Sequence, residues 1–206
     1  MAEIFRKAIG DLGSTESAPL ALYCVCVIAG HVLQQVALAD RITRGLPHQA
    51  PDVISVTTSS GKTYVFGDAI AGALIRSGDQ PRFIEWMAKQ AEIPSTEWDL
   101  QGYFERSAAT VGSEEYGRPS PPFGTYAWPL IDDVIANADS VVTYLRSGSL
   151  SPNQFGDILT NAARLALLRA ADNRFMGTLA DFAIMGIEAA IAGSHVLPPP
   201  ITTSTD

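Results

Sequence analysis

The sequence is poor in charge, in cysteine and in known catalytic motifs. Charged side chains make up 17% of its 206 residues, against about 25% in a typical soluble domain, and 47% of the residues are apolar. The apolar share excludes a wholly disordered chain. Two cysteines are too few for a disulfide scaffold. Length and composition therefore predict one globular domain, which we place at 1–197.

Basic side chains are also scarce, because 14 of them stand against 22 acidic ones and give a net charge of −8. A protein that binds nucleic acid through its phosphates is expected to carry the opposite sign, so we expect no nucleic-acid partner. The low charged fraction indicates that some surface is buried against another copy of the chain. We therefore predict a homo-oligomer, and a dimer as its commonest form, with a further protein partner left open.

No motif for a cofactor or a metal stands out, so we predict neither. Gly61-Lys62-Thr63 resembles the end of a phosphate-binding loop, but Val56 occupies the place of the first glycine and a strand-like segment follows. A hairpin turn explains these residues better. Zinc needs three or four ligands at workable spacing, and the histidines are scattered over the sequence: His31, His48 and His195. We predict that His31 is a hydrogen-bonded histidine of the core or of an interface and that His195 is a poor catalytic candidate.

The segment 17–39 contains no charged residue and is the longest apolar stretch. It suits either the central helix of a helical core or a helix that contacts a membrane. We prefer the core helix because His31, Gln34 and Gln35 interrupt the apolar run. Cys24 and Cys26 point to different sides of such a helix and are expected to be buried thiols. The N-terminus does not resemble a secretory signal, and we expect a cytoplasmic location.

Hydrophobic spacing predicts a mainly α, single-domain bundle of about seven helices. Proline, glycine and capping residues set the expected boundaries of the helices that matter below: Pro19 to about Arg44, 69–77 with Asp68 as N-cap, Pro81 to about Glu92, a helix capped by a Thr96–Asp99 box, a helix from Pro129 to about Gly148, Ser151-Pro152 to about Ala171, and about Arg174 to Ala192, closed by Gly193. A short amphipathic helix is expected over 2–12.

The only β signal is one hairpin at about 53–66. Val53-Ile-Ser-Val-Thr-Thr58 and 62–66 are rich in β-branched and aromatic residues, and Ser59-Ser60-Gly61 supplies the turn. Ile54 and Val56 share one face of the first strand. An isolated hairpin is marginal in water, so it must lie on the helices or pair with another chain. Residues 198–206 read as a flexible tail rich in proline and threonine.

Two regions are candidate binding sites. The long 112–128 loop combines apolar and polar groups in Tyr116, Arg118, Tyr126 and Trp128, which suits either a binding edge or a loop packed on its own core. A second cluster lies around the break before the last helix: Arg169, Asp172 and Arg174, with Arg164 nearby. Asp172 could pair with an arginine at the helix end, or the cluster could bind an anionic ligand. Asp181 and Glu188 lie in apolar surroundings and would need partners such as Arg164 if their helix is central.

Three functional hypotheses follow. The preferred one is a non-catalytic, self-associating interaction or scaffold protein, because catalytic motifs are lacking and a strand edge is expected to be exposed. The second is a small-molecule-binding protein or enzyme with a pocket under the 112–128 loop. The third is membrane association through 17–39.

Overall fold

The computed structural model describes residues 18–46, 51–77, 80–81, 83–94, 99–120, 122–123, 127–136, 152–172 and 176–197. Within these ranges the predicted mainly α fold is confirmed, with seven helical segments and a hairpin. The expected helix at 2–12, the tail at 198–206 and the later part of the helix predicted from Pro129 lie outside the described residues.

The elements follow one another in an order that places the longest helices at the two ends of the described chain. They are α1 (Ala18–Thr43), β1 (Ile54–Thr57), β2 (Thr63–Phe66), α2 (Asp68–Ile75), β3 (Arg76–Ser77), β4 (Gln80–Pro81), α3 (Phe83–Gln90), α4 (Leu100–Ala109), α5 (131–136), α6 (Pro152–Ala171) and α7 (Leu179–His195).

The centre of the fold is a close contact between α1 and α7. Gly30 lies against the backbone carbonyl of Ala190, and Gly193 lies against that of Val27. Gly186 faces the Cys26 side chain one turn earlier, so residue numbers rise together along the two helices and they run parallel. Glycine has no Cβ, which lets one backbone approach the other this closely. Side chains of the other helices then complete the core around this pair.

Burial explains the apolar composition of α1. Its residues from Ala21 to Gln34 are all buried in protein. By length and composition α1 is the one helix in the described ranges that is apolar enough to cross a membrane, and most of that stretch is covered by its neighbours. The prediction of buried thiols is confirmed: Cys24 and Cys26 are both free and buried, and burial raises the pKa of Cys24 to about 12.

The hairpin predicted at 53–66 is confirmed. β1 pairs antiparallel with β2, with Ile54 opposite Phe66 and Val56 opposite Tyr64. Gly61 adopts a φ of 82° in the turn, a conformation that suits glycine. The turn of the hairpin therefore accounts for the glycine in Gly61-Lys62-Thr63, without a phosphate-binding loop.

Two predicted boundaries around Gly78 are wrong. The helix from Asp68 ends at Ile75 and not at residue 77, because Arg76 and Ser77 pair with Gln80 and Pro81 as a second small hairpin. Pro81 consequently belongs to β4, and the next helix begins at Phe83. Gly78 was expected to end one helix and Pro81 to begin the next. The backbone pairing of β3 with β4 replaces the helical conformation at both places.

Two capping predictions also need correction. Asp99 is the N-cap of α4 and not its third residue, since its carboxylate accepts from the Gly102 N–H at 3.0 Å; Thr96 lies outside the described residues. The last helix begins at Leu179 and not near Arg174, since Thr178 and Asp181 form a reciprocal capping box. It does not end at Gly193 but continues to His195, because Gly193 is a packing residue against α1.

The glycine contact predicts a large loss of stability in Gly30→Ala. The new Cβ would collide with the Ala190 backbone, which cannot move independently of α7, so we expect the free energy of unfolding to fall by about 3 kcal/mol. Gly72→Ala is the matched control: it lies on an exposed face of α2 with open space around it, and we expect a gain of about 0.5–1 kcal/mol. Urea unfolding of the two variants measures both effects, and equal stabilities would contradict the central contact.

Candidate functional site

Tyr116, a predicted binding residue, is hydrogen-bonded to the central helix α7. Its hydroxyl donates to the Ala192 carbonyl at 2.6 Å, and its ring packs edge-on against Tyr64 at 5.2 Å between centroids. Burial raises the pKa of Tyr116 well above its usual value. The polar end of this side chain is therefore engaged inside the protein, and the loop is held down at this point.

Trp128, at the other end of the same loop, packs against α1. Its indole N–H donates to the Phe123 carbonyl at 2.8 Å, and its ring lies 5.0 Å from the ring of Tyr23 on α1. The Tyr23 hydroxyl in turn donates to the Gly117 carbonyl at 3.1 Å. Two aromatic residues of the loop thus pack on the core, which is the alternative that the sequence left open beside a binding edge.

Glu188 connects the middle of the loop to α7. Its carboxylate accepts from the Ser120 backbone N–H at 2.9 Å and from the Ser120 hydroxyl at 2.7 Å, and it lies 3.4 Å from Arg106. Arg164, the partner suggested by sequence, is exposed on α6. The true partners lie 68 and 82 positions away, and no local pattern in the sequence signals them.

Of the remaining predicted site residues, the structure describes Arg118, Arg169 and Asp172. Arg118 is exposed and contacts Glu115 at 3.1 Å, a surface ion pair. Arg169 and Asp172 are exposed near the end of α6. Tyr126 and Arg174 lie outside the described residues. The arginine cluster as an anion site therefore stays a prediction.

His195 forms a buried polar contact that sequence reasoning missed. Its Nδ1 lies 3.1 Å from the Ser107 hydroxyl, and its ring lies 4.5 Å from that of Phe66. Burial lowers the pKa of His195 to about 3, so the imidazole is neutral near pH 7. A general base works best with a pKa near the operating pH. The pair has the atoms of a serine nucleophile and its base, but the electrostatics suit a structural contact.

His31 is a satisfied core residue, as predicted. Its Nδ1 lies 3.1 Å from the Val196 carbonyl and its Nε2 lies 2.6 Å from the Gln35 amide nitrogen. Both contacts are satisfied when Nδ1 donates and Nε2 accepts. Gln34 donates to the same Val196 carbonyl at 3.2 Å. These bonds hold the residue that follows α7. Throughout the described ranges no group of three or more metal-ligating side chains occurs.

The residues after α7 close one edge of the hairpin. Val196 forms a bridge with Tyr64, and the Leu197 N–H donates to the Thr63 carbonyl at 3.2 Å. β2 therefore has a neighbour on each side. Three prolines follow Leu197 in the sequence, and proline has no N–H with which to extend such a ladder.

The other edge of the hairpin, the outer side of β1, has no strand beside Ser55 and Thr57 in the part of the chain that is described. Thr58 N–H donates to the Lys62 carbonyl at 2.9 Å, which identifies that pair as hydrogen-bonded. Hydrogen-bonded and non-bonded pairs alternate in an antiparallel ladder, so Ile54 and Val56 also bond to β2. The backbone groups of Ser55 and Thr57 then point away from the hairpin.

This outer side of β1, defined here as the β1 edge (Ile54–Thr57), lacks two of the usual protections of an edge strand, charge and proline. All four of its residues are exposed, with Ile54 at 55% and Val56 at 43%. It contains no charged residue and no proline, the features that normally discourage strand pairing. Its chemistry is that of a template for one more strand.

No protein-family model matches this chain, and neither the curated proteins nor the solved structures gave a match.

The loop contacts predict different costs for two neighbouring substitutions. Tyr116→Phe removes the hydroxyl that donates to the Ala192 carbonyl, and we expect the free energy of unfolding to fall by about 1–2 kcal/mol. Arg118→Ala removes only an exposed ion pair and should change stability by less than about 0.5 kcal/mol. Thermal and urea unfolding compare the two. A costly Arg118→Ala with a neutral Tyr116→Phe would reverse our interpretation of the loop.

Burial of His195 predicts a loss of stability in acid. Its pKa is about 3 in the folded protein and about 6.5 when unfolded, so between these values the unfolded chain binds the additional proton. The stability contribution is complete above pH 6.5 and declines as the pH falls towards 3, by up to about 1.4 kcal/mol per pH unit. Urea unfolding from pH 7 to 4 should show a smaller slope in His195→Gln. Ser107→Ala should keep the slope, because burial causes the shift.

Proposed function

We propose that the protein is a non-catalytic interaction protein that self-associates into a homodimer through the β1 edge. The observation that carries this proposal is the exposed, uncharged edge with two outward-facing residues, Ser55 and Thr57. Strand addition at such an edge supplies main-chain hydrogen bonds without any specialised side-chain chemistry. A cytoplasmic location, and the absence of a cofactor and of a nucleic-acid partner, belong to the same proposal.

A second copy is the occupant that best fits this edge. Two identical strands that pair antiparallel form a symmetric interface in which each copy presents the same surface. The chain carries a net charge of −8, but β1 has no charge to repel its counterpart. A two-stranded hairpin is marginal alone. Pairing would join the hairpins of the two copies into one sheet of four strands, with residues 196–197 of each copy at its outer edges. It would also cover Ile54 and Val56.

The other two hypotheses have less support. A ligand pocket beneath the 112–128 loop competes with the contacts that hold Tyr116, Ser120 and Trp128 on the central helices. Membrane association through 17–39 competes with the burial of α1 against α7. An interaction at the β1 edge needs no rearrangement of the fold, and for that reason we rank it first.

Proline at residue 55 provides the test. The Ser55 N–H points away from β2, so Ser55→Pro removes a donor that only an added strand would use and spares the β1–β2 ladder. We expect light scattering to give the mass of two chains for the wild type and of one chain for Ser55→Pro. Ser55→Ala, which keeps the backbone donor, should remain a dimer. A monomeric wild type at about 100 μM, well above the Kd of a specific dimer, would refute the proposal.

A further inference from the structure

We infer that β1 pairs with β1 of a second copy in one register, with the two-fold axis passing between the two Val56 residues. This inference rests on the proposed function and adds the alignment of the two strands. In this register Ser55 of each copy lies opposite Thr57 of the other. Ile54 lies opposite Thr58.

The ladder within the hairpin limits the possible registers. Thr58 bonds to Lys62 and Leu197 bonds to Thr63, so bonding alternates along both strands. The side-chain hydroxyls of Thr57 and Thr63 lie 3.0 Å apart, as expected for the closer, non-bonded kind of pair. Only the odd-numbered residues of β1 can therefore bond outward, and any register must place odd opposite odd.

Among symmetric registers, the one centred on Val56 places the most outward-facing residues of β1 in hydrogen-bonded pairs. It makes two hydrogen-bonded pairs, each between Ser55 and Thr57, and so satisfies both outward-facing residues of both copies. A register centred on Thr57 would place Ser55 opposite Ser59, which belongs to the turn and not to β1. A register centred on Ser55 would place Thr57 opposite Val53, which is buried and precedes the strand.

The side chains favour the same register. Val56 of one copy would meet Val56 of the other at a non-bonded position, where Cα atoms are about 4.5 Å apart and side chains are in closest contact. Val56 is 43% exposed in the single chain, so this contact removes apolar surface from water. Ile54 lies on the same face of β1, beside Val56, and would extend that apolar contact on either side of the axis.

Disulfide trapping tests the register directly. Val56→Cys places two thiols at a Cα separation of about 4.5 Å, inside the range for a disulfide, whereas in Ile54→Cys they are four strand positions, or about 14 Å, apart. With oxidised glutathione as oxidant, we expect Val56→Cys to give a covalent dimer and Ile54→Cys to stay largely monomeric on a non-reducing gel. Cys24 and Cys26 are buried and should give little background.

Opposite charges at the axis give an independent check. Val56→Lys and Val56→Glu should each be monomeric by light scattering, because like charges would meet at the axis, and an equimolar mixture should recover the mass of two chains. Leu165→Lys, at an exposed position on α6, should remain dimeric. If Ser55→Pro dissociates the dimer but Val56→Cys does not cross-link and the charged pair does not recover it, the register is wrong and the proposed function stands. A monomeric wild type refutes both.

Discussion

The backbone contact between α1 and α7 is the constraint on which the rest of the structure depends. Gly30 and Gly193 let each helix lie directly against a carbonyl of the other. At that distance the two helices are in direct backbone contact. The other described elements pack around this pair. Together with the elements that cover their other sides, this packing leaves no exposed residue in α1 from Ala21 to Gln34 or in α7, which explains why these stretches are apolar on nearly all sides.

The long loop is an outer layer held to this centre by polar contacts. Tyr116 reaches a carbonyl of α7, Ser120 reaches Glu188, and Trp128 packs on Tyr23 of α1. The loop therefore lies on the two helices that define the core, and its aromatic content reflects packing. The hairpin is closed on the α7 side by Val196, and within the described ranges no strand lies beside β1.

The sequence predicted the elements well and their partners poorly. The apolar run of α1, the β-branched residues of the hairpin and the start of α6 at Pro152 are local signals, and the structure confirms each of these predictions. Gly193 resembles a helix end in the sequence, because a glycine that stops a helix and a glycine that lets another helix approach cannot be told apart in a single sequence. The partners of Glu188 and His195 lie more than sixty positions away, where spacing carries no information.

The distance along the sequence between α1 and α7 has a consequence for synthesis of the chain. The two halves of the core lie near opposite ends of the described sequence, so α1 emerges from the ribosome without the surface that covers it. About 135 residues separate the end of α1 from the start of α7, which at elongation rates of about 5–20 residues per second is a delay of roughly 7–27 s. During that interval the apolar surface of α1 lacks the helix that covers it in the folded protein, and the nascent chain exposes a stretch prone to aggregation.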